Sequence, residues 1–209
     1  MSEFGLFTEF YRKPFRQWPS LFSKKGLKYL KTNIVEWFRD IWSLVMLKFK
    51  LSGWSKKKFS KDAELMYTVM NEAYAQGDLM TLEKMCKPMM YSKLKADVKR
   101  RRMAFDWEVV RTVVPTKVIK VRCGKVMPRL SLGQVTVRFD QIQRVRSVPG
   151  ALVARQGAKS KHAVASSGIA AKEKRVVEYY VFQREMINDN SPWSIYRKID
   201  VPEWDLPKQ

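Results

Sequence analysis

Trp107-Glu108-Val109-Val110-Arg111-Thr112-Val113-Val114-Pro115-Thr116-Lys117-Val118-Ile119-Lys120-Val121-Arg122-Cys123 is the stretch that decides the fold. Valines and isoleucines recur here with a period of two, which predicts strands over 107–113 and 117–123 joined across Pro115. Downstream the same alternation marks Gln134 to Asp140, extending towards Val145, then Val176 to Glu185 and Ser194 to Asp200. Between Ser147 and Lys174 the chain turns to Ala, Gly, Ser and Lys without an aromatic residue, and reads as a long, flexible, basic loop.

Upstream the period becomes helical. A helix with Asp62 near its start carries Leu65, Met66, Val69, Met70 and Ala73 to Gln76, and Gly77 is a natural stop. Asp78 caps a second helix through Cys86, Pro88 kinks or restarts it, and a further run from Tyr91 ends in Lys99-Arg100-Arg101-Arg102. Helices followed by a run of strands predict an α+β domain, a curved antiparallel sheet with helices packed on one face.

Ahead of this domain, residues 1–61 form a basic, aromatic-rich extension. It holds fourteen basic and four acidic side chains, nearly half the excess behind a net charge of +21 over 209 residues. A pI near 10.1 calls for a polyanionic partner, either nucleic acid or the anionic face of a membrane. With 45% hydrophobic residues the chain is too apolar for a disordered basic tail.

Within the extension, Arg12, Lys13 and Arg16 alternate with aromatic residues in an arm broken by Pro14 and Pro19, suited either to an RNA groove or to folding back on its own domain. Leu27, Leu30, Ile34, Phe38, Ile41, Val45 and Phe49 then fall on one helical stripe with Trp37 and Trp42 beside it. Such a basic amphipathic helix either packs on its own domain or a partner, or lies in a membrane interface. Only Ile41 to Leu47 is free of charge, far short of the roughly twenty residues a bilayer span needs. Lys56, Lys57, Lys58 and Lys61 read as a basic linker, which with Lys99, Arg100, Arg101 and Arg102 would neutralise phosphates without reading sequence.

Other chemistries find little support. The N-terminus does not read as a secretory signal or transit peptide. Two cysteines, Cys86 and Cys123, and one histidine, His162, cannot assemble an ordinary zinc site, and the cysteines read as reduced thiols. No phosphate-binding glycine loop, nucleophile elbow or zincin motif occurs, and no cofactor is implied. Asp106, Glu108, Asp140, Glu178 and Glu185 lie among basic residues and read as surface ion pairs rather than acid/base pairs.

The run Asp62-Ala63-Glu64-Leu65-Met66-Tyr67 through Asn71-Glu72-Ala73-Tyr74-Ala75-Gln76-Gly77-Asp78, with Leu82 and Cys86, resembles the helical entrance of the Tim44-like domain family. Gly133 to Arg138, Val177 to Phe182 and Pro192 to Ile199 are similar to the family's mitochondrial ribosomal branch. The resemblance covers residues 62–209. It implies a cone-like α+β fold related to nuclear transport factor two and a place near the tunnel exit of the mitochondrial large ribosomal subunit. There the chain would bind rRNA and neighbouring ribosomal proteins. It would sit in the matrix, peripheral at the inner membrane, where lipid, an insertase and the nascent chain are the expected partners. Trp37, Phe38, Ile41, Trp42, Val45 and Phe49 would make the membrane or partner contact. An import-motor adaptor is the alternative, and a small-molecule enzyme using a cone-shaped pocket a weaker one.

Overall fold

The computed structural model describes residues 13–20, 22–101, 104–128, 130–148, 172–186 and 191–206. After a short turn at Phe15–Gln17 come four helices, α1 (Lys24–Lys50), α2 (Lys56–Gln76), α3 (Leu79–Met85) and α4 (Pro88–Arg100). Four strands follow, β1 (Ala104–Met127), β2 (Leu130–Val148), β3 (Lys172–Glu185) and β4 (Ser194–Ile199), and then a turn at Glu203–Asp205. The strands form one antiparallel meander in the order β1-β2-β3-β4, so the α+β expectation holds.

The helix boundaries follow their caps. Ser55 accepts from the amide of Lys58 and opens α2, so the lysines read as a linker are its first turns, and the 61/62 boundary falls inside a helix. Gly77, at φ +76°, ends α2 in the left-handed conformation that an L side chain rarely adopts. Asp78 then accepts from Met80 and Thr81 to cap α3. Pro88 stands at the start of α4, where its missing N–H costs nothing.

The sheet is longer than its alternation suggests. β1 runs unbroken through Pro115 because register shifts on either side absorb it, and β1 is an edge strand, where a missing donor is tolerated. β2 reaches Val148 and β3 begins at Lys172, paired at Val145 with Lys172. The predicted loop therefore loses 147, 148 and 172–174 to strand, while 149–171, with His162, lie outside the described residues.

Phe59, Ala63, Tyr67, Met70 and Ala73 of α2 enter the core against Val135, Val137, Phe139, Tyr180 and Phe182 of the sheet. Tyr67 stacks on Phe139 with ring centroids 4.2 Å apart, a contact worth about 1 kcal/mol beyond the area it hides. The amide of Lys87 donates to the Ile195 carbonyl at 2.8 Å, tying the junction of α3 and α4 to β4. A second apolar cluster, Val177, Tyr179, Val181, Tyr196 and Ile199, lies on alternate positions of β3 and on β4.

Candidate interaction surfaces

Among the described residues, the apolar stripe of α1 does not pack on its own domain. Trp37, Phe38, Trp42, Val45 and Phe49 are 47, 60, 65, 53 and 88% exposed, and Leu27, Ile34, Val35 and Ile41 are exposed as well. What α1 buries is Gly26, Asn33, Glu36 and Ser43, with Leu47 alone among large apolar residues. The helix is inside out relative to an ordinary globular helix, whose apolar stripe faces the core.

Its seat on the domain is ionic. Glu36 meets Lys120 at 3.2 Å and also pairs with Arg122 and Arg39, while Arg122 reaches Asp40 with its other terminal nitrogen. Lys120 and Arg122 alternate along β1 with Val121, which enters the core, so they leave the strand on its other side. Burial alone would raise the Glu36 pKa, but the hydrogen bond and charge of Lys120, then Arg122 and Arg39, hold it below the usual carboxylate value. The C-terminal end of α1 joins the main core through Leu47, followed by Leu51. There Gly133 leaves the necessary room, since a Cβ at that position would stand 3.1 Å from Leu47 Cδ1 and from Met186 Sδ. A pair of carboxylates four residues apart on a basic helix, answered by two cations on alternate strand positions, was the available sequence signal for this seat.

The cations form several exposed groups. Lys56, Lys57, Lys58 and Lys61 are exposed on the first turns of α2, with no acidic residue in its first turn. Positive charge at the positive end of a helix dipole is unfavourable within the chain, so an external anion there gains from both. Lys57 and Lys61 line a cleft with Thr112, Pro115 and Thr116. Lys99 and Arg100 are exposed in the last turn of α4. Lys13 and Arg16 are exposed on an arm that lies back on α1. The Lys13 amide donates to the Tyr29 hydroxyl at 3.1 Å, and Trp18 meets the Tyr29 ring edge-on at 5.5 Å.

Arg101 departs from the basic run. Its guanidinium lies over Tyr74 and Phe105 and donates to the Ala75 carbonyl at 2.9 Å, and burial lowers its pKa from the usual value. It fastens α4 to α2 and β1 rather than presenting charge outward. Arg12 and Arg102 lie outside the described residues.

A chain of hydrogen bonds links β1, β2, α2, β3 and β4. Trp107 Nε1 donates to Gln143 Oε1 at 3.1 Å, Gln143 Nε2 to Tyr67 Oη at 2.6 Å, and Tyr67 Oη to Glu178 Oε2 at 2.6 Å, with Lys198 closing the chain on Glu178. Burial, and then Glu178, push the Tyr67 phenol far above its usual range, so it acts as a neutral hydrogen-bonding group. Glu178 and Asp140 are not the surface carboxylates expected. Asp140 is fully buried between Arg175 and Arg138, whose hydrogen bonds, Arg175's first, hold its pKa low. Among the described residues no cluster of His, Cys, Asp and Glu could hold a metal ion, and no helix is long and apolar enough to cross a membrane.

Residues 50–199 match the Tim44-like domain. The chain belongs to the Tim44-like domain family. The match begins at the last residue of α1 and ends at the last residue of β4. The chain is also similar to proteins named large ribosomal subunit protein mL45. It is 25% identical to that of Xenopus tropicalis over 91% of this chain and 57% of the relative. It is 30% identical to that of Caenorhabditis briggsae over 77% and 42%, and 26% identical to that of Bos taurus over 91% and 58%. This Tim44-like chain thus spans about half the length of the curated relatives it matches.

Proposed function

We propose that this chain is a structural component of the mitochondrial large ribosomal subunit near the tunnel exit, and that it holds the ribosome at the inner membrane from the matrix side. The observation that carries the membrane part is α1, a helix seated by charges and turned with its indoles and phenyl ring outward. That is the reverse of what packing on its own domain requires and what a membrane-interface helix requires. The relatives' shared name supports the ribosomal part. Lys13, Arg16, Lys56, Lys57, Lys58, Lys61, Lys99 and Arg100 supply the cations for rRNA, and neighbouring ribosomal proteins complete the seat. Arg101 is left out because the fold occupies it.

The role is positional rather than catalytic. A nascent hydrophobic chain that emerges beside the membrane meets its insertase at high effective concentration without any bond being made or broken.

Sedimentation of mitochondrial lysate at low and moderate salt tests the assignment. Comigration with the large subunit is expected, and migration as a small particle at every salt would remove the ribosomal reading in favour of an import-motor adaptor. Replacing Lys56, Lys57, Lys58 and Lys61 by Gln should weaken ribosome binding and flatten the log–log salt slope by about 3. Changing Trp37 and Trp42 to Ser should reduce flotation with cardiolipin-containing liposomes, and equal flotation would cancel the lipid contact.

A further inference from the structure

Between the first turns of α2 and the middle of β1 lies a cleft of about 460 Å³. Lys57, Ser60, Lys61 and Glu64 line it from the helix, and Thr112, Pro115 and Thr116 from the strand, where register shifts between Thr112 and Val114 and between Val114 and Lys117 interrupt the ladder. Lys57 and Lys61 stand four residues apart and so share one side of α2, and among the described residues neither has an ion-pair partner. The hydroxyls of the cleft are already committed as donors. Ser60 Oγ donates to the Lys56 carbonyl at 2.9 Å, and Thr112 Oγ1 donates to Glu64 Oε1 at 3.3 Å. Gln141 Nε2 also donates to Glu64 Oε1, at 3.5 Å. With their hydrogens used, both hydroxyl oxygens and the carboxylate meet the cleft as acceptors. Among the described residues no aromatic side chain lines it.

We propose that this cleft holds the sugar–phosphate backbone of double-helical RNA, with Lys57 and Lys61 against phosphates and with Ser60 and Thr112 accepting from a 2′-hydroxyl. The proposal rests on the RNA-binding reading above and names the form of RNA held and the group that is read. Cations beside acceptors suit a ligand that carries an anion and a hydroxyl donor a few atoms apart, which ribose provides and deoxyribose does not. An acidic side chain of a protein would answer the lysines but, being an acceptor only, would leave the oxygens of Ser60, Thr112 and Glu64 without a donor. An unpaired base needs a ring face to lie on, and the cleft offers none, so the bases stay paired within the helix. The wide minor groove of an A-form helix shows 2′-hydroxyls beside its phosphates.

The test compares binding of the full chain to a fluorescently labelled RNA hairpin, a DNA hairpin of corresponding sequence and a single-stranded RNA, each across a KCl series. The RNA hairpin should bind most tightly. Ser60→Ala with Thr112→Val should weaken the RNA hairpin about fivefold to thirtyfold, the range of one or two lost hydrogen bonds, and leave the DNA hairpin and both salt slopes unchanged. Lys57→Gln with Lys61→Gln should instead weaken both hairpins and flatten both log–log slopes by about 1 to 2. Melting temperatures are measured for every variant, and Thr112→Val alone decides if the double variant does not fold. Equal binding of the two hairpins by the unaltered chain, a preference for the single strand, or a Ser60→Ala and Thr112→Val variant that loses on both hairpins alike or on neither would each overturn the cleft, while leaving the lysine surface as an RNA contact. If the unaltered chain binds no RNA at low salt, the RNA reading and the cleft fall together. A glutamate-rich peptide should bind more weakly than the RNA hairpin. One that binds as tightly, and is weakened by Lys57→Gln with Lys61→Gln, would overturn the proposal in favour of an acidic protein segment.

Discussion

α1 and α2 are consecutive, basic and amphipathic, and they bury opposite kinds of surface. α2 hides Phe59, Ala63, Tyr67, Met70 and Ala73 and shows lysines, as a helix of a single folded unit does. α1 hides Asn33, Glu36 and Ser43 and shows Trp37, Phe38, Trp42 and Phe49. The contrast teaches that periodicity measures how sidedly a helix is built, whereas the side that meets the fold is set by what the neighbouring strand offers. β1 offers Lys120 and Arg122 to α1, and the sheet offers valine and aromatic rings to α2.

The largest effect that would sharpen this contrast is expected in α2. Tyr67→Ala removes a ring in contact with Phe139, Trp107 and Tyr180 together with the bond to Glu178, and should cost about 3–5 kcal/mol in urea unfolding. Arg122→Met comes next. It strands Asp40 and takes one of Glu36's three cations, and should cost about 3 kcal/mol. Faster hydrogen exchange should appear first across residues 24–50 rather than in α2. Replacing Glu36, Asp40, Lys120 and Arg122 together by Leu, Asn, Met and Met should restore most of that loss, because matched uncharged groups avoid the burial of charge. Trp37→Ser with Trp42→Ser should move the unfolding free energy by no more than about 0.5 kcal/mol, as for surface positions. A loss of several kcal/mol would mean that the outward face packs on something in the chain after all.

Acid supplies a smaller and graded effect. The Glu36 pKa is depressed in the folded state, so its contribution is complete above the unfolded value of about 4.3 and is lost as pH falls through the folded one. In Asp40→Asn, which removes the neighbouring carboxyl whose pKa burial raises, exchange protection of α1 should therefore be flat from pH 7 to 5 and decline only in more acidic solution. The smallest effect expected is at Cys86. Its buried thiol is pushed up to about 12, so it should resist alkylation at pH 8.5 until the domain unfolds, and loss of α1 alone should not expose it.

Much of the architecture was legible because its signals are local. Gly77 and Asp78 mark a helix end and the next start by backbone preference, and the valines of β2 alternate cleanly. The lysines at 56–61 misled because four like charges at the start of a helix oppose its dipole, and Ser55 with the burial of Phe59 outweighs that cost. Pro115 misled because edge position and register shifts are tertiary facts. At the surfaces, the stripe of α1 was plain but its direction was not, since that depends on Lys120 and Arg122 some eighty residues away. Arg101 looked like its neighbours in the basic run, yet the rings of Tyr74 and Phe105 that hold it are brought together only by the fold.

A helix whose seat is charged and whose outer face is aromatic divides its positions between two selective pressures. Random substitution screened only for a soluble, folded chain would leave Trp37, Phe38 and Trp42 free to vary while holding Glu36 and Arg122. The same library screened for the proposed ribosome and membrane binding would be expected to hold both sets. Subtracting the first tolerance map from the second would draw the outline of whatever α1 touches, residue by residue.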